Sequence, residues 1–198
     1  TFTITTAHQP AIFTGHLYFI YKILHVIKLA AQLKQQMPAY HFVPVFWMGS
    51  EDADLDELGH LYLSGEKLVW ETKQTGAVGR MQTKGLDKLI HRIEGELAVQ
   101  PFGPALIQLL RSCYLESPDI QTATFKLINT LFAEYGLVVI LPDNANLKSI
   151  MQPVFEEDLL QQRPAAIVEN TIERLSQLYK VQAHPRPVNL FYLKDNVR

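Results

Sequence analysis

The chain has 198 residues, of which 47% are apolar and 19% charged, with a formal net charge of −2 and a pI near 6.4. This balance excludes a basic nucleic-acid-binding domain and an acidic disordered tail. No apolar run approaches the roughly 20 residues that a bilayer requires, so no membrane span is expected. Cys113 is the single cysteine, which excludes an internal disulfide and a multi-thiolate metal site. The chain starts on a strand-like run and no signal peptide is predicted, so we expect a globular protein of the cytoplasm.

The first fifty residues predict a strand, a loop, a helix and a second strand. Residues 2–6 alternate apolar and hydroxylic side chains, which is typical of a short strand. A long amphipathic helix is predicted over residues 16–36, with an apolar face formed by Leu17, Ile20, Tyr21, Leu24, Ile27 and Ala31. Residues 42–48 are almost wholly apolar, as in a strand that is covered on both faces. This order predicts parallel strands and an α/β fold.

The rest of the chain predicts a hairpin, several helices and two more strands. Residues 61–63 and 67–71 flank a turn and predict the hairpin. Helices are predicted over residues 85–98, 104–115, 122–135, 145–163 and on to about 179. The two strands are predicted over residues 137–141 and 188–193, and the second has no partner in sequence. Because one strand–helix–strand unit is an incomplete open sheet, we expect a fragment of a longer chain.

The loop after the first strand is the first candidate site. In open parallel sheets, ligands bind beyond the carboxyl ends of the strands, near the start of the following helix. Such a helix start favours phosphate, and Gly15 would let the backbone approach a ligand closely. His8 and His16 could donate protons to phosphate oxygens as negative charge develops during nucleotidyl transfer. The alternative is an ordinary helix start, with Gly15 in a turn and His16 exposed.

The second candidate site is the acidic segment 51–57, which holds five carboxylates directly after the apolar second strand. Carboxylates at this edge could bind a substrate ammonium group or a hydrated Mg²⁺, or accept a proton from an attacking amine. The alternative is an acidic helix start with Ser50 as its N-cap. His60 does not give these acids a metal-ligand spacing, so no zinc site is predicted and no residue is assigned as a metal ligand. Arg80, in the glycine-rich segment 76–81, could clamp a carboxylate or phosphate or lie in an ordinary surface loop.

Several blocks resemble the cysteine ligase (cysteine-adding enzyme) family of bacillithiol biosynthesis. They are residues 6–10, 13–18, 43–48 with 51–54, 79–81, 135–139 and 185–192, in the same order as in that family. The resemblance implies a Rossmann-like, nucleotidyltransferase-type parallel sheet, incomplete here, with a helical and hairpin connecting-peptide insertion. Residues 1–60 would form the first part of the core, and residues 61–198 the insertion and the return toward the core. Family members are longer, with a coiled coil and the rest of the sheet.

The implied reaction is addition of L-cysteine to the amine of glucosaminyl-malate, with ATP as the expected activating partner. The catalytic candidates are His8, Asp52 and Asp54. The candidates for binding substrate or nucleotide are Thr6, Gln9, Gly15, His16, Glu51, His60 and Arg80. The expected partners are small molecules and, for the full-length chain, a second copy in a homodimer. The fragment by itself is expected to be inactive.

Two other functions are compatible with these residues. The first is another nucleotidyltransferase-like enzyme that acts on a different small carboxylic acid. The second is a non-catalytic binding or scaffolding domain, whose helices between residues 104 and 179 would dock a partner. Cys113 lies within a predicted helix among apolar residues, which favours a buried, unreactive thiol over a nucleophile.

Overall fold

The computed structural model describes residues 1–194 as a mixed α/β protein with two compact units, Thr1–Asp143 and the described residues from Asn144 onward. The strands are β1 (Phe2–His8), β2 (Phe42–Met48), β3 (His60–Leu63), β4 (Glu66–Val69) and β5 (Val138–Ile140). The helices of the first unit are α1 (Leu17–Gln36), α2 (Leu55–Leu58), α3 (Leu86–Leu97), α4 (Gly103–Leu110) and α5 (Ile120–Phe132). Those of the second unit are α6 (Ala145–Ile150), α7 (Gln152–Gln161) and α8 (Arg163–Leu175). Within residues 1–194, no helix combines the length and apolarity needed to cross a bilayer.

The main sheet has three parallel strands in the order β1-β2-β5, which confirms the predicted strand–helix–strand unit. β1 extends to His8, two residues beyond its predicted end, because its pairing with β2 continues to the His8–Met48 register position. The two strands therefore end side by side. The loops that directly follow β1 and β2 therefore both start at the carboxyl edge of the sheet.

Helix α1 has nearly the predicted bounds, but the predicted apolar face is only partly right: Ile20 and Ile27 pack against the core, whereas most of the other predicted residues are exposed. The buried side chains are Phe19, Ile23, Val26 and Ala30, which pack against β1 and β2. Leu17 and Tyr21, expected in the core, are 67% and 63% exposed. Most of the helix surface is apolar, so periodicity alone is consistent with more than one buried face.

Two hydrophobic clusters form the core of the first unit. One joins α1 to the sheet and to the C-terminal part of α5. The other joins the loop after β1, through Ala11, Ile12 and Phe13, to the β3–β4 hairpin and to α3–α5. The loop after β1 is thus a core element as well as a connection, which fixes its position at the edge of the sheet.

The middle of the chain agrees closely with prediction. β3 and β4 form the hairpin, with Ser64 and Gly65 both at positive φ, as a two-residue turn between twisted strands requires. Helix α4 continues into a π-helical turn, Arg111–Leu115, in which Cys113 is buried. Asp119 caps α5, and Gly136, at a φ of 75°, follows the short 3-10 turn at the end of α5 and precedes β5.

The second unit differs from prediction in two places. The single helix expected over residues 145–163 is divided into α6 and α7, and α8 begins at Arg163. Pro153 and Pro164 stand in the first turns of α7 and α8, where a proline starts a helix but cannot continue one. The strand predicted over residues 188–193 does not form. The Asn189 backbone N–H donates to the buried Asp158 carboxylate at 2.7 Å instead of to a neighbouring strand.

The division of the chain at residue 60, into a core segment and an insertion, stays a prediction. The compact units of the structure are divided at a different point, between Asp143 and Asn144. The last four residues of the predicted segment 61–198, residues 195–198, lie outside the described residues.

Candidate active site

The loops that follow β1 and β2 meet at the carboxyl edge of the sheet. The Gly49 backbone N–H donates to the carbonyl oxygen of His8 at 2.9 Å. The side-chain amide of Gln9 donates to Asp52 Oδ2, also at 2.9 Å. Asp52 Oδ1 accepts a further bond from the Ala53 N–H at 2.7 Å. The structure therefore joins the two predicted candidate segments, and it fixes the Asp52 carboxylate between them.

The glycine-rich segment lies against the acidic segment. The backbone N–H groups of Val78 and Gly79 donate to the carbonyl oxygens of Asp52 and Ser50, at 2.8 and 2.9 Å. A Cβ atom on Gly79 would lie 2.5 Å from the Ser50 Cβ and carbonyl oxygen. This close approach requires glycine, and it places Arg80 at the same edge of the sheet.

Arg80 makes a two-pronged ion pair with Asp143, which follows β5. The distances are 2.5 Å for Nε–Oδ2 and 2.6 Å for Nη2–Oδ1. Hydrogen bonding to Asp143 raises the pKa of Arg80, so its charge is permanent. The guanidinium predicted to clamp a ligand is thus held by a carboxylate of the protein. Asp143 was not predicted; its position shortly after the apolar strand predicted over residues 137–141 is the signal that could have identified it.

His8 is 6% exposed, and hydrogen bonds engage both of its ring nitrogens. Nδ1 lies 2.8 Å from the carbonyl oxygen of Gln9, and Nε2 lies 2.9 Å from the Tyr18 hydroxyl. A carbonyl only accepts, so Nδ1 carries the proton and Nε2 of the neutral ring accepts from Tyr18. Burial lowers the pKa of His8, which favours this neutral form near pH 7.

Tyr18 and Glu57 extend this chain of hydrogen bonds. Tyr18 was not predicted as a site residue, and Glu57 was predicted only as one of the five carboxylates of the acidic segment. The Tyr18 hydroxyl also lies 3.3 Å from Glu57 Oε1. Burial and the Glu57 carboxylate raise the pKa of Tyr18, so the hydroxyl stays protonated at neutral pH. Tyr18 stands in the first turn of α1, two residues after His16, and that position at a predicted site was the available signal.

His16 and Gly15 support this arrangement by packing. The His16 ring lies parallel to the Tyr18 ring, with centroids 5.5 Å apart, and meets the His60 ring edge-on at 5.2 Å. His16 Nε2 is 3.2 Å from the Glu57 carbonyl oxygen. A Cβ atom on Gly15 would lie 2.7 Å from the His60 carbonyl, so the close approach that requires glycine here is to β3.

Other predicted residues have clear structural partners. Asp54 is the N-cap of α2 and accepts from the Glu57 N–H at 3.1 Å. The expectation that Ser50 is the cap is wrong, because its hydroxyl donates to the Gln121 side chain in α5. Glu51 is exposed and attracts Arg80 electrostatically.

Thr6 lies two residues before the end of β1, and His60 is the first residue of β3 in the separate hairpin. Thr6 is half-buried in β1 at the register position of Phe46. His60 is 8% exposed, and its Nδ1 lies 2.8 Å from the Asp56 carbonyl oxygen. Among residues 1–194, no group of three or more His, Cys, Asp and Glu side chains is arranged to hold a metal ion. Burial raises the pKa of the Cys113 thiol, which favours its unreactive form.

The chain is similar to longer curated proteins along its whole length. It is 43% identical over 198 residues to a Flavobacterium johnsoniae protein named "Putative cysteine ligase BshC", covering 100% of this chain and 37% of that protein. Proteins of the same name from Flavobacterium psychrophilum and Cytophaga hutchinsonii are 41% and 44% identical, and this chain covers 37% and 36% of them. The chain thus spans little more than a third of the length of these relatives.

The family comparison covers the same range. Residues 1–198 match the family described as "Bacillithiol biosynthesis BshC, N-terminal Rossmann-like domain". This match confirms the resemblance seen in the sequence and the Rossmann-like fold that it implies, and the parallel sheet β1-β2-β5 agrees with it. The chain therefore belongs to the family of N-terminal Rossmann-like domains of BshC, the family of bacillithiol biosynthesis.

Proposed function

We propose that this domain provides the active site of a full-length ligase that joins L-cysteine to the amine of glucosaminyl-malate in bacillithiol biosynthesis. The observation that carries the proposal is family membership over the whole chain, together with the two joined loops at the carboxyl edge of β1 and β2. The proposed setting is the cytoplasm, where thiols stay reduced. A coiled coil outside this domain and homodimer formation by the full-length protein are both part of the proposal.

The proposed chemistry is amide formation. The cysteine carboxyl group is first activated, with ATP as the proposed co-substrate, and the phosphates lie at the start of α1 in the proposed arrangement. The glucosamine nitrogen then attacks the activated carboxyl carbon. The Asp52 carboxylate orients that nitrogen. Hydrogen bonds from Gln9 and the Ala53 N–H already fix the Asp52 carboxylate, which reduces the entropy lost when the substrate binds.

The remaining predicted residues have supporting roles in this proposal. Arg80, paired with Asp143, places a permanent positive charge at the site. With 44% of the Arg80 side chain exposed, the face of the guanidinium away from Asp143 can attract an anionic substrate group such as the malate carboxylates. Asp54 and Gly15 maintain the local backbone through a helix cap and a close contact. The direct proton transfer from His8 to phosphate stays a prediction.

The test uses the full-length protein with L-cysteine, glucosaminyl-malate and ATP, and mass spectrometry to detect the amide product. We expect product with all three reactants, and a fall in kcat/KM of about 10²-fold or more in Asp52→Asn. Asp87→Asn is the matched control, because Asp87 is an exposed carboxylate in the first turn of α3. Absence of the amide product, or an Asp52→Asn variant as active as the wild type, would contradict the proposal. The 198-residue chain alone is expected to be inactive.

A further inference from the structure

The buried histidine and the accessible tyrosine of the site differ sharply in exposure. His8 is 6% exposed and Tyr18 is 43% exposed, although their polar atoms are 2.9 Å apart. Both nitrogens of the His8 ring are already engaged, so a substrate cannot reach either of them without breaking a hydrogen bond. Tyr18 is therefore the more accessible residue of this hydrogen-bonded pair.

The Tyr18 hydroxyl has one proton and two acceptors within reach. When His8 is neutral, the hydroxyl donates to His8 Nε2. When Nε2 carries a proton, it donates to the Tyr18 oxygen, and the hydroxyl proton is free to turn toward Glu57 Oε1 at 3.3 Å. The three groups therefore support two proton arrangements with the same heavy-atom positions, which is the requirement for a proton relay.

We propose that Tyr18 is the residue through which this site takes the proton from the attacking amine, and that His8 holds the proton. The inference rests on the proposed function. An N–H of the substrate ammonium group gives its proton to the Tyr18 oxygen as the Tyr18 proton moves to His8 Nε2. The products are a neutral amine, a positively charged His8 and an unchanged Tyr18, so no further reactant is required. The amine nitrogen then has the free electron pair that attacks the activated carboxyl carbon.

The surroundings of the relay suit it to this transfer. The charged and titratable groups facing His8 are His16, Tyr18 and Lys22 from the start of α1, and Glu57 from α2. Burial has the largest effect and lowers the pKa of His8, so the ring is neutral and able to accept a proton; Lys22 and His16 act in the same direction. The hydrogen bond to the Gln9 carbonyl and the Glu57 carboxylate raise this pKa, and so stabilise the proton once it has arrived. The parallel His16 ring keeps the Tyr18 ring in place.

The activity test compares Tyr18→Phe and His8→Asn in the full-length ligase. Phenylalanine keeps the ring but cannot pass a proton. Asparagine retains a donor for the Gln9 carbonyl but is not a base. Each variant is expected to lose about 10²-fold or more in kcat, with a smaller change in KM and loss of the acid limb of the pH–rate profile. The double variant should be no slower than the slower single one, because both belong to one relay.

Tyr21→Phe is the matched control, because Tyr21 is a 63% exposed tyrosine on the same helix. It should keep the wild-type kcat and pH profile. A Tyr18→Phe variant with the wild-type kcat and pH profile would overturn the relay, whatever its stability. The relay would also be overturned if the losses of kcat caused by Tyr18→Phe and His8→Asn multiplied in the double variant.

A second measurement separates failure of the relay from failure of the proposed function. Histidine-labelled NMR titration of the full-length protein follows the pKa of His8 without any substrate. Glu57→Gln should lower that pKa, since it removes the carboxylate that raises it. If the wild-type protein makes no amide but Glu57→Gln lowers the pKa of His8, the cysteine ligase proposal fails, whereas the electrostatic coupling of Glu57 to His8 is supported. An unchanged pKa would overturn the coupling of Glu57 to His8.

Discussion

Replacing Tyr114 by phenylalanine removes one oxygen atom from the core beneath the site loop. Tyr114 is fully buried in the π-helical turn after α4, and its hydroxyl accepts the Phe13 backbone N–H at 2.9 Å. Phe13 lies in the loop after β1 with a φ of 51°, a conformation that costs a non-glycine residue about 1–2 kcal/mol. The bond to Tyr114 helps to hold this backbone in place, so it links the core to the loop that carries Gln9.

The expected loss of stability follows from the unpaired donor. In Tyr114→Phe the buried Phe13 N–H has lost its acceptor, which costs about 1–3 kcal/mol. The ring and its edge-on contact with Phe13 remain, so no large cavity forms. For a chain of this size, a loss of about 2 kcal/mol corresponds to a fall of roughly 4–8 °C in Tm.

The assay is urea denaturation of the 198-residue chain, with Cm compared at constant m. Tyr40→Phe is the control, because Tyr40 is 51% exposed and removal of its hydroxyl should change stability by less than about 0.5 kcal/mol. If Tyr114→Phe is as stable as Tyr40→Phe, the hydroxyl does not anchor the loop and the reasoning is wrong.

The same hydroxyl predicts a dependence on pH. Burial raises the pKa of Tyr114 to about 12, whereas an unfolded tyrosine has a pKa of about 10. The folded chain therefore retains this proton to a higher pH than the unfolded chain. Below about pH 10 this proton does not reduce the free energy of unfolding. As the pH rises from about 10 to about 12, the free energy of unfolding should fall by roughly 2–3 kcal/mol. Tyr114→Phe should lack this component of the alkaline loss, and an identical alkaline slope in both proteins would contradict the assignment.

Three further predictions concern the surroundings of the site. Gly79→Ala should destabilise the chain by about 1–3 kcal/mol in urea denaturation, because the added methyl group collides with Ser50, and a neutral result would contradict that contact. Asp119→Ala should cost about 1 kcal/mol by removing the N-cap of α5, measured in the same way, whereas Asp119→Asn should retain most of the capping. Cys113 should react with a thiol reagent at a rate limited by opening of the fold, and rapid labelling of the native chain would contradict its burial.

The sheet and the convergence of the two loops could be predicted because strong local patterns specified them. The hydroxylic alternation of β1, the apolar run of β2 and the intervening helix together require parallel pairing, and parallel pairing brings His8 and the acidic segment to one edge. The buried face of α1 could be predicted only in part, since most of its surface is apolar. The unpaired segment 188–193 has the composition of a strand, but a strand also needs a partner, and composition does not supply one.

The polar partners in the site were harder to predict than its location. Tyr18 and Asp143 were missed, and Glu57 was predicted only as a member of the acidic segment, because each acts through a contact with another element. Arg80 and Asp54 were predicted as ligand-facing groups, but the structure pairs one with Asp143 and uses the other as a helix cap. Spacing in the sequence identifies which strand end carries polar groups; the fold determines which of them bond to each other.

A crystal structure of the full-length protein with glucosaminyl-malate bound would show where the substrate amine lies. We expect it at the carboxyl edge of β1 and β2, within hydrogen-bonding distance of the Asp52 carboxylate or the Tyr18 hydroxyl. An amine bound elsewhere, with neither side chain in contact with the substrate, would show that this edge is not the active site.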